Sequence, residues 1–331
     1  MPRLTILMPA FNAASYVTEA IDSLLNQTFT DFELWVIDDA STDNTLNMVK
    51  NYKERRIKIL SNEVNQGRVR TINGLVKEIQ TIFFTITDAD DVSHPLRLEK
   101  QIQLLENDPS LFMCGSSFWA MDEGGYLVRE MNLLQDVNQL RAASLKQSQF
   151  LGPTTVMRRE VIDTFPHFYR TYFIENHADA DLSSLILDKY NSTNLAEPLY
   201  HYRILKSSVT RRKVTVRNLN LHRLIGFLSE QRREAGLDCL QRNIPQEADA
   251  FILKVQQEYD RDASFFFRHQ AYFQLYWGVN DLAFTNIKNA VMERPFLLKN
   301  WFSLAHIISR IGLFYLNRGL NKKHYSKLSN Q

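Results

Sequence analysis

Cysteine is scarce in this chain of 331 residues, which contains only Cys114 and Cys239, far apart in the sequence. Two cysteines so placed form neither the disulfide framework of a small secreted domain nor a structural zinc site. We therefore expect a reducing compartment. Net charge is also small, at +2, so charge by itself does not indicate a nucleic-acid partner, and we expect none.

Long apolar segments are absent as well. Residues 1–9 contain an apolar run that is too short for a signal h-region, and no small-residue cleavage site accompanies it. No window approaches about 18 apolar residues without a charge, so the sequence predicts no membrane-spanning helix. From these absences we expect a cytoplasmic protein, or one that rests on the cytoplasmic face of a membrane.

A glycine-rich phosphate loop is the third absence. Strand-like runs at Leu4–Met8, Phe32–Ile37, Ile57–Leu60 and Thr81–Thr87 alternate with amphipathic helical stretches, which predicts a parallel, doubly wound sheet. Dinucleotide-binding enzymes with such a sheet need G-x-G-x-x-G after the first strand. Pro9–Asn12 stands there instead, and Pro9 is expected to end the strand. The sequence therefore disfavours a dinucleotide-binding oxidoreductase.

The fourth of these strands ends in three carboxylates within four positions, Asp88, Asp90 and Asp91. On an extended backbone Asp88 and Asp90 point the same way, and like charges so close raise each other's pKa. A magnesium or manganese ion carrying a phosphorylated ligand removes that penalty. Ligands of open α/β sheets also bind beyond the carboxyl ends of the strands. The alternative is a solvated turn that caps a helix.

The alternation of strands and helices stops after about Leu111. Further strands are predicted at Leu111–Gly115, Ser117–Met121 and Pro198–Arg203, with a hairpin turn at Glu123–Gly125. The segment Gly152–Met157 is predicted to open on a turn and continue as a strand. We expect this half to cover one end of the parallel sheet and to form the second wall of a cleft.

Five motifs, in their order and spacing, resemble the family 2 glycosyltransferases. They are Pro9-x-x-Asn12, Asp38-Asp39-x-Ser41-Thr42-Asp43, Asn65-x-Gly67, Asp88-Ala89-Asp90-Asp91 and Asp179-x-Asp181-Leu182. The resemblance covers about residues 3–210. It implies an inverting hexosyltransferase that uses a nucleotide-sugar donor, most simply a UDP-sugar, and extends a saccharide or lipid-linked glycan in polysaccharide biosynthesis.

The resemblance also implies a fold. It predicts an α/β GT-A catalytic domain at residues 1–213, with a Rossmann-like nucleotide-sugar-binding half at 1–110 and a mixed-sheet acceptor half at 111–213. A C-terminal α-helical region would occupy residues 214–331.

Donor-binding roles are implied residue by residue. Asp39 would hydrogen-bond the nucleobase, with Pro9, Ala10, Phe11 and Asn12 lining the base pocket. Either Arg68 or Arg70 would contact the nucleotide or its diphosphate. The choice stays open because the arginine that usually precedes the position of Asn73 is Ile72 here. The segment from Arg203 to Ser207 and Ser208 would close over the diphosphate.

Metal and catalytic roles are implied at two acidic motifs. In the turn Asp88, Ala89 and Asp90, Asp90 would hold Mn²⁺ or Mg²⁺, and Asp88 would contact the donor and also the metal. Asp179 would be the general base that deprotonates the acceptor. The usual glutamate before the base is Ala178 here, so Asp181 is a rival, although an acid at the start of a helix is also favoured by the helix dipole. His201, in an aromatic strand, is expected to be packed rather than a ligand.

The C-terminal third predicts helices. Ala263–Trp277 and Asp281–Glu293 resemble one tetratricopeptide-like hairpin, and Trp301–Leu316 forms a wide apolar helix. No acidic residue follows Glu293, whereas seven cations do: Arg294, Lys299, Arg310, Arg318, Lys322, Lys323 and Lys327. An apolar helix flanked by cations is typical of contact with an anionic membrane surface. The alternative is a buried helix with a solvated basic tail.

Two other functions stay open from the sequence. A sugar nucleotidyltransferase would share the nucleotide-binding core, but it needs a glycine-rich loop with Arg and Lys where Ala13-Ala14-Ser15 stands. A non-catalytic module that binds a nucleotide sugar or a partner would fit the loss of the glutamate before Asp179. Retention of Asp39, Asp88 and Asp90 favours the enzyme.

Overall fold

The computed structural model describes residues 1–205 and 214–320. The chain forms two compact units. The first consists of Met1–Trp119 and Glu130–Arg203, and the second of Ala120–Arg129 and the chain from Ile204 onward. The domain boundary predicted at residue 213 lies outside the described residues, so it and the inner boundary at residue 110 stay proposals.

The described strands form one nine-stranded sheet. They are β1 (Leu4–Ala10), β2 (Phe32–Asp38), β3 (Ile57–Ser61), β4 (Phe83–Ile86), β5 (Val92–Ser93), β6 (Leu111–Met121), β7 (Leu127–Met131), β8 (Val156–Arg158) and β9 (Asn191–Arg203). Their order is β3-β2-β1-β4-β8-β6-β9-β5, and β7 pairs with β6. Strands β1 to β4 pair in parallel, whereas β8 is antiparallel to β4 and β6, and β5 to β9. The predicted parallel and mixed halves are therefore confirmed.

Helices follow the strands in the order that the sequence predicts. Those of the first unit are α1 (Val17–Leu25), α2 (Thr45–Lys50), α3 (Arg68–Leu75), α4 (Arg97–Asn107), α5 (Val137–Ser144), α6 (Glu160–Thr164) and α7 (Ala178–Lys189). Short 3₁₀ turns lie at Val76–Glu78, Gly152–Thr154 and Thr171–Phe173. The second unit adds α8 (Val216–Leu219), α9 (Leu221–Ala235), α10 (Pro245–Asp260), α11 (Ala263–Tyr276), α12 (Asn280–Glu293) and α13 (Leu298–Leu320).

The core of the first unit lies between the parallel strands and α1. Val17, Ala20, Ile21 and Leu24 recur at helical spacing, and all four are buried. They pack in one cluster with the side chains of β1, β2 and β4. Each fully buried aliphatic side chain contributes about 1.5–3 kcal/mol, so this cluster fixes the strand ends on which the polar residues sit.

Two local predictions need correction. Strand β1 does not end at Pro9 but continues to Ala10, in register with Asp38 of β2. On its other side β1 pairs with β4 only from Leu4 to Leu7, so at Pro9 that edge has no strand partner. A proline is tolerated where no ladder hydrogen bond is lost. Likewise, the two strands predicted at Leu111–Gly115 and Ser117–Met121 are one strand, β6.

The helical unit is built on the pair α11 and α12. The small side chains of Ala271, Ala283 and Ala290 are fully buried and let the helices approach closely, and Ile307 of α13 packs on them. These helices lie within a few residues of the predicted hairpin. Among residues 1–205 and 214–320, no helix is long and apolar enough to cross a bilayer.

Candidate active site

The loop after β1 is tied to the loop after β2. Asn12 has a φ of +50°, a left-handed conformation that asparagine adopts more readily than most residues. Its side-chain oxygen accepts a hydrogen bond from the backbone N–H of Thr42 at 2.8 Å, and its own N–H donates to Oγ of Ser41 at 3.0 Å. Phe11 is exposed beside it. The segment Pro9–Asn12 is thus held in a defined shape at the carboxyl end of the sheet.

Asp39 is buried just beyond β2 and accepts four hydrogen bonds from the chain. The donors are the Asn62 side chain at 2.7 Å, the backbone N–H groups of Gln66 and Gly67 at 3.0 and 2.8 Å, and the hydroxyl of Thr71 at 3.1 Å. A carboxylate has about four acceptor positions. Three of the donors share Oδ1, and only the N–H of Gly67 donates to Oδ2, so Oδ2 retains room for a donor on a nucleobase. The base-binding role of Asp39 stays a prediction.

The acidic turn lies directly after β4, as the sequence predicts. One carboxylate oxygen from each of Asp88, Asp90 and Asp91 lies within 4.8 Å of the others. Asp91 is buried, Asp88 and Asp90 are half-buried, and Ala89 is buried between them. Three carboxylates at this separation repel one another strongly unless protons or a cation compensate them.

Burial and the neighbouring charges raise the pKa values of all three carboxyl groups of the turn. Burial, together with the charge of Asp179, raises the pKa of Asp88, and Arg68 opposes that rise. Burial raises the pKa of Asp90 to about 7, with a further contribution from the Asp88 carboxylate. Burial and both neighbouring carboxylates raise the pKa of Asp91 well above its usual range.

The donor set of this turn fits a hard divalent cation. All three side chains are carboxylates, which magnesium and manganese prefer. Oδ2 of Asp91 is buried without a hydrogen-bond partner of good geometry, although the Tyr200 hydroxyl lies near enough to lower the pKa of Asp91.

Arg203, at the end of β9, holds the acidic turn in place. Its N–H donates to Oδ1 of Asp91 at 2.7 Å, and its Nε donates to the backbone carbonyl of Asp90 at 2.7 Å. The guanidinium also pairs with Glu19 and lies 4.6 Å from the ring centre of Tyr16. Arg203 therefore connects the turn to the start of α1. Ser207 and Ser208, which were predicted to close over the diphosphate, lie outside the described residues.

Arg68 and Arg70 differ in their contacts and exposure. At the first residue of α3, Arg68 donates through Nε to Asp88 at 3.2 Å and through Nη1 to both oxygens of Asp179 at 3.0 Å. Burial alone would lower the pKa of Arg68, but Asp179, Tyr169 and Asp88 raise it well above its usual value. Arg70, two residues further along the same helix, is exposed.

Tyr169 is a site residue that the sequence analysis missed. Its hydroxyl donates to Oδ1 of Asp179, and burial together with that carboxylate raises the pKa of Tyr169 well above its usual range. Asn73 of α3 fixes the backbone of Tyr169 from both sides, donating to its carbonyl at 2.8 Å and accepting from its N–H at 2.9 Å. No local pattern around Tyr169 signals this role, because its partners come from distant parts of the chain.

Gly152 leaves the space in which Asp179 lies. A Cβ atom at Gly152 would come within 2.5 Å of Cβ and 2.6 Å of Cγ of Asp179. Contacts that short do not occur between real side chains, so any larger residue displaces the carboxylate. Asp179 itself is in the first turn of α7 and is half-buried.

Asp181 and His201 are buried and have structural roles. Asp181 is buried and forms a bidentate ion pair with Arg170, so it is not placed to accept a proton from a substrate. His201 is buried, and burial lowers its pKa to about 4. It is therefore a packed, neutral histidine.

Comparison with known proteins gives the family. Residues 5–165 match the family model for Glycosyl transferase family 2. The O-antigen biosynthesis glycosyltransferase WbnJ of Escherichia coli is 30% identical over 244 residues, which cover 72% of this chain and 93% of that protein. A second Escherichia coli protein, the UDP-Glc:alpha-D-GlcNAc-diphosphoundecaprenol beta-1,3-glucosyltransferase WfgD, is 35% identical over 113 residues, which cover 34% of this chain and 45% of that protein.

Solved structures show the same fold at low identity. TarS residues 1–349 of S. aureus, crystallised with UDP-GlcNAc, aligns with a TM-score of 0.58 and 15% identity over 96% of this chain and 92% of that one. The mannosyltransferase PcManGT of Pyrobaculum calidifontis, in complex with GDP-Man and Mn²⁺, aligns with a TM-score of 0.55 and 16% identity over 95% and 87%. With the geometry above, these similarities show that the chain belongs to glycosyltransferase family 2 and is a GT-A enzyme with a helical C-terminal region.

Proposed function

We propose that this glycosyltransferase is metal-dependent and inverting, and that it transfers a sugar from a UDP-sugar to a hydroxyl of a saccharide or lipid-linked glycan. One observation carries the proposal. Arg68 lies between the acidic turn and Asp179, in contact with Asp88 on one side and Asp179 on the other. The groups needed at the leaving diphosphate and at the attacking hydroxyl are therefore gathered around one guanidinium.

Asp179 is the general base in this proposal. Its Oδ1 accepts from both Tyr169 and Arg68, whereas Oδ2 accepts only from Arg68 among these donors, so Oδ2 retains room for a substrate hydroxyl. Asp179 takes the hydroxyl proton while the acceptor oxygen bonds to the anomeric carbon. The bond from that carbon to the diphosphate oxygen breaks in the same displacement, which inverts the configuration.

Arg68 and the acidic turn would serve the leaving group. Asp88 and Asp90, with Asp91 beside them, would hold Mn²⁺ or Mg²⁺, and that ion supplies neutralisation of the diphosphate charge. Arg68 adds a fixed guanidinium whose geometry suits phosphate oxygens.

The relatives support the choice of donor and acceptor. TarS was crystallised with UDP-GlcNAc, and the name of WfgD gives UDP-Glc as its donor, so uridine is the first base to test. Guanosine follows because of GDP-Man in PcManGT, whose Mn²⁺ also supports a metal. The name of WfgD gives a diphosphoundecaprenol-linked acceptor, and WbnJ is named for O-antigen biosynthesis. These names support a role in polysaccharide biosynthesis, and we propose that the enzyme works in the cytoplasm, at the membrane surface.

Product stereochemistry tests this proposal. The enzyme would be incubated with Mn²⁺, each of several UDP-sugars and a soluble saccharide acceptor, and the anomeric configuration of the new linkage would be read by proton NMR. We expect the configuration opposite to that of the donor. Retention, or wild-type turnover in the Asp179→Asn variant, would refute the assignment of Asp179. Asp163→Asn, which changes an exposed carboxylate of the same unit, is the matched control.

A further inference from the structure

Helix α13 has two apolar faces, and the described residues of its unit cover one of them. Ile307 is fully buried, and Leu304 and Ile311 pack beside it on the cluster formed by α11 and α12. Asn300 fixes the start of the helix, donating to the carbonyl of Ala290 at 2.7 Å and to that of Arg294 at 2.9 Å. The orientation of the helix, and hence of its outer face, is set by these contacts.

The outer face is apolar over almost half of the helix circumference. At helical spacing, the residues of this face lie on two adjacent stripes along the helix. All of them are exposed: Trp301, Phe302, Ala305, Ile308, Gly312, Leu313, Tyr315 and Leu316. Phe302 retains 73% of its surface and Leu316 retains 63%. Only Ser309 interrupts this arc. Single exposed apolar residues are common on proteins, but a continuous apolar face marks an interaction site.

The segment before α13 extends this surface. Met292 at the end of α12 and Phe296 in the connection are exposed by 77% and 97%, and Leu298 at the first position of α13 is exposed by 69%. We call these three residues and the outer face of α13 together the apolar ridge.

Positive charge borders the apolar ridge. Lys299 and Arg310 recur at i and i+11, which places them on a stripe beside Phe302 and Leu313. Arg294 lies in the connection, is half-exposed and pairs with Asp262 at 3.6 Å. No acidic residue occurs in the sequence after Glu293. An apolar face edged by cations, with Trp and Tyr among its members, has the chemistry of a helix that lies in the headgroup region of an anionic bilayer.

We infer that the apolar ridge binds the surface of an anionic lipid bilayer, with α13 lying in the plane of the interface. A second copy of the chain is a poorer occupant, because pairing two ridges would bring Lys299 and Arg310 of each copy together with no acidic residue of that region to compensate them. The inference goes beyond the proposed reaction and is tested by binding alone, so it stands or falls separately from turnover.

Vesicle flotation of the full-length protein tests the inference. We expect binding to phosphatidylcholine vesicles that contain phosphatidylglycerol, and at least tenfold weaker binding to phosphatidylcholine alone. The double variant Phe302→Asp with Ile308→Asp should bind the anionic vesicles at least tenfold more weakly than wild type. Lys299→Glu with Arg310→Glu should remove the preference for anionic lipid. Intrinsic fluorescence should shift to the blue on binding, and Trp301→Phe should reduce the shift.

The matched control is Leu253→Asp, which changes an equally exposed leucine on α10, 65% exposed and away from the ridge. It should bind vesicles as wild type does. Because the substituted side chains are exposed, thermal unfolding should be unchanged in these variants except Trp301→Phe, which loses the hydrogen bond from the indole N–H to the Pro295 carbonyl. Vesicle binding that survives Phe302→Asp with Ile308→Asp would overturn the inference. So would self-association in the absence of lipid that this double variant abolishes, since a second copy would then be the occupant.

Discussion

Nη1 of Arg68 lies 3.0 Å from each carboxylate oxygen of Asp179, although the two residues are 111 positions apart in the sequence. The same guanidinium reaches Asp88 through Nε at 3.2 Å. One side chain thus links the proposed base to the acidic turn.

Arg68→Ala should lower kcat/KM by about a hundredfold or more, because a fixed positive group near a developing diphosphate charge stabilises the transition state by that order. Arg70→Ala changes the same residue type two positions along α3, where it is exposed, and should stay within about twofold of wild type. Steady-state kinetics with saturating Mn²⁺ measure both. Equal losses in the two variants would show that Arg68 has no special position.

Gly152→Ala should abolish turnover while the protein stays folded, because the added methyl group would occupy the space of the Asp179 side chain. Its matched control is Gly74→Ala on α3, where a Cβ meets nothing within 4 Å. Alanine is better than glycine in a helix by about 1 kcal/mol, so that variant should unfold at a slightly higher temperature and keep its activity. An active Gly152→Ala enzyme would contradict the position given to Asp179.

Asp179→Asn should lower activity, whereas Asp181→Asn should lower stability. The first removes the proposed base at a half-buried position, so turnover falls and the thermal midpoint changes little. The second removes the buried carboxylate that pairs with Arg170, which costs about 3–5 kcal/mol of unfolding free energy. Thermal unfolding and kinetics of both proteins, measured side by side, decide between the two roles. A stable, inactive Asp181→Asn protein would make Asp181 the better candidate for the base.

The acidic turn and the positions of the parallel strands along the chain could be predicted from the sequence, because strand alternation and the acids at strand ends are local signals. Asp88 and Asp90 follow β4 as predicted. Tyr169 and Gly152 could not be found that way. Their roles depend on a contact with Asp179, and such contacts exist only after the chain has folded. For Asp39, by contrast, the motif identified the residue from the sequence. Its four hydrogen-bond donors became visible only in the structure.

Stability should fall in mild acid because of His201. Burial lowers its folded-state pKa to about 4, below the unfolded value of about 6.5, so the unfolded chain binds the proton more readily. His201 therefore does not change the unfolding free energy above about pH 6.5. As the pH falls toward 4, His201 lowers the unfolding free energy, by about 3 kcal/mol at about pH 4. His201→Gln should show a shallower decrease in urea titrations over this range, whereas His167→Gln, at an exposed position, should follow wild type. Identical slopes for the two variants would contradict this assignment.

We propose that the acidic turn holds a divalent cation on which nucleoside diphosphate binding depends. Calorimetric titration of UDP, and then GDP, into wild type, Asp90→Asn and the control Asp163→Asn, each with and without Mn²⁺, measures this dependence. We expect one nucleoside diphosphate to bind wild type and the control far more tightly with Mn²⁺, and Asp90→Asn to lose this dependence. Binding that is the same in Asp90→Asn and wild type, or no binding of any nucleoside diphosphate with Mn²⁺ present, would contradict it.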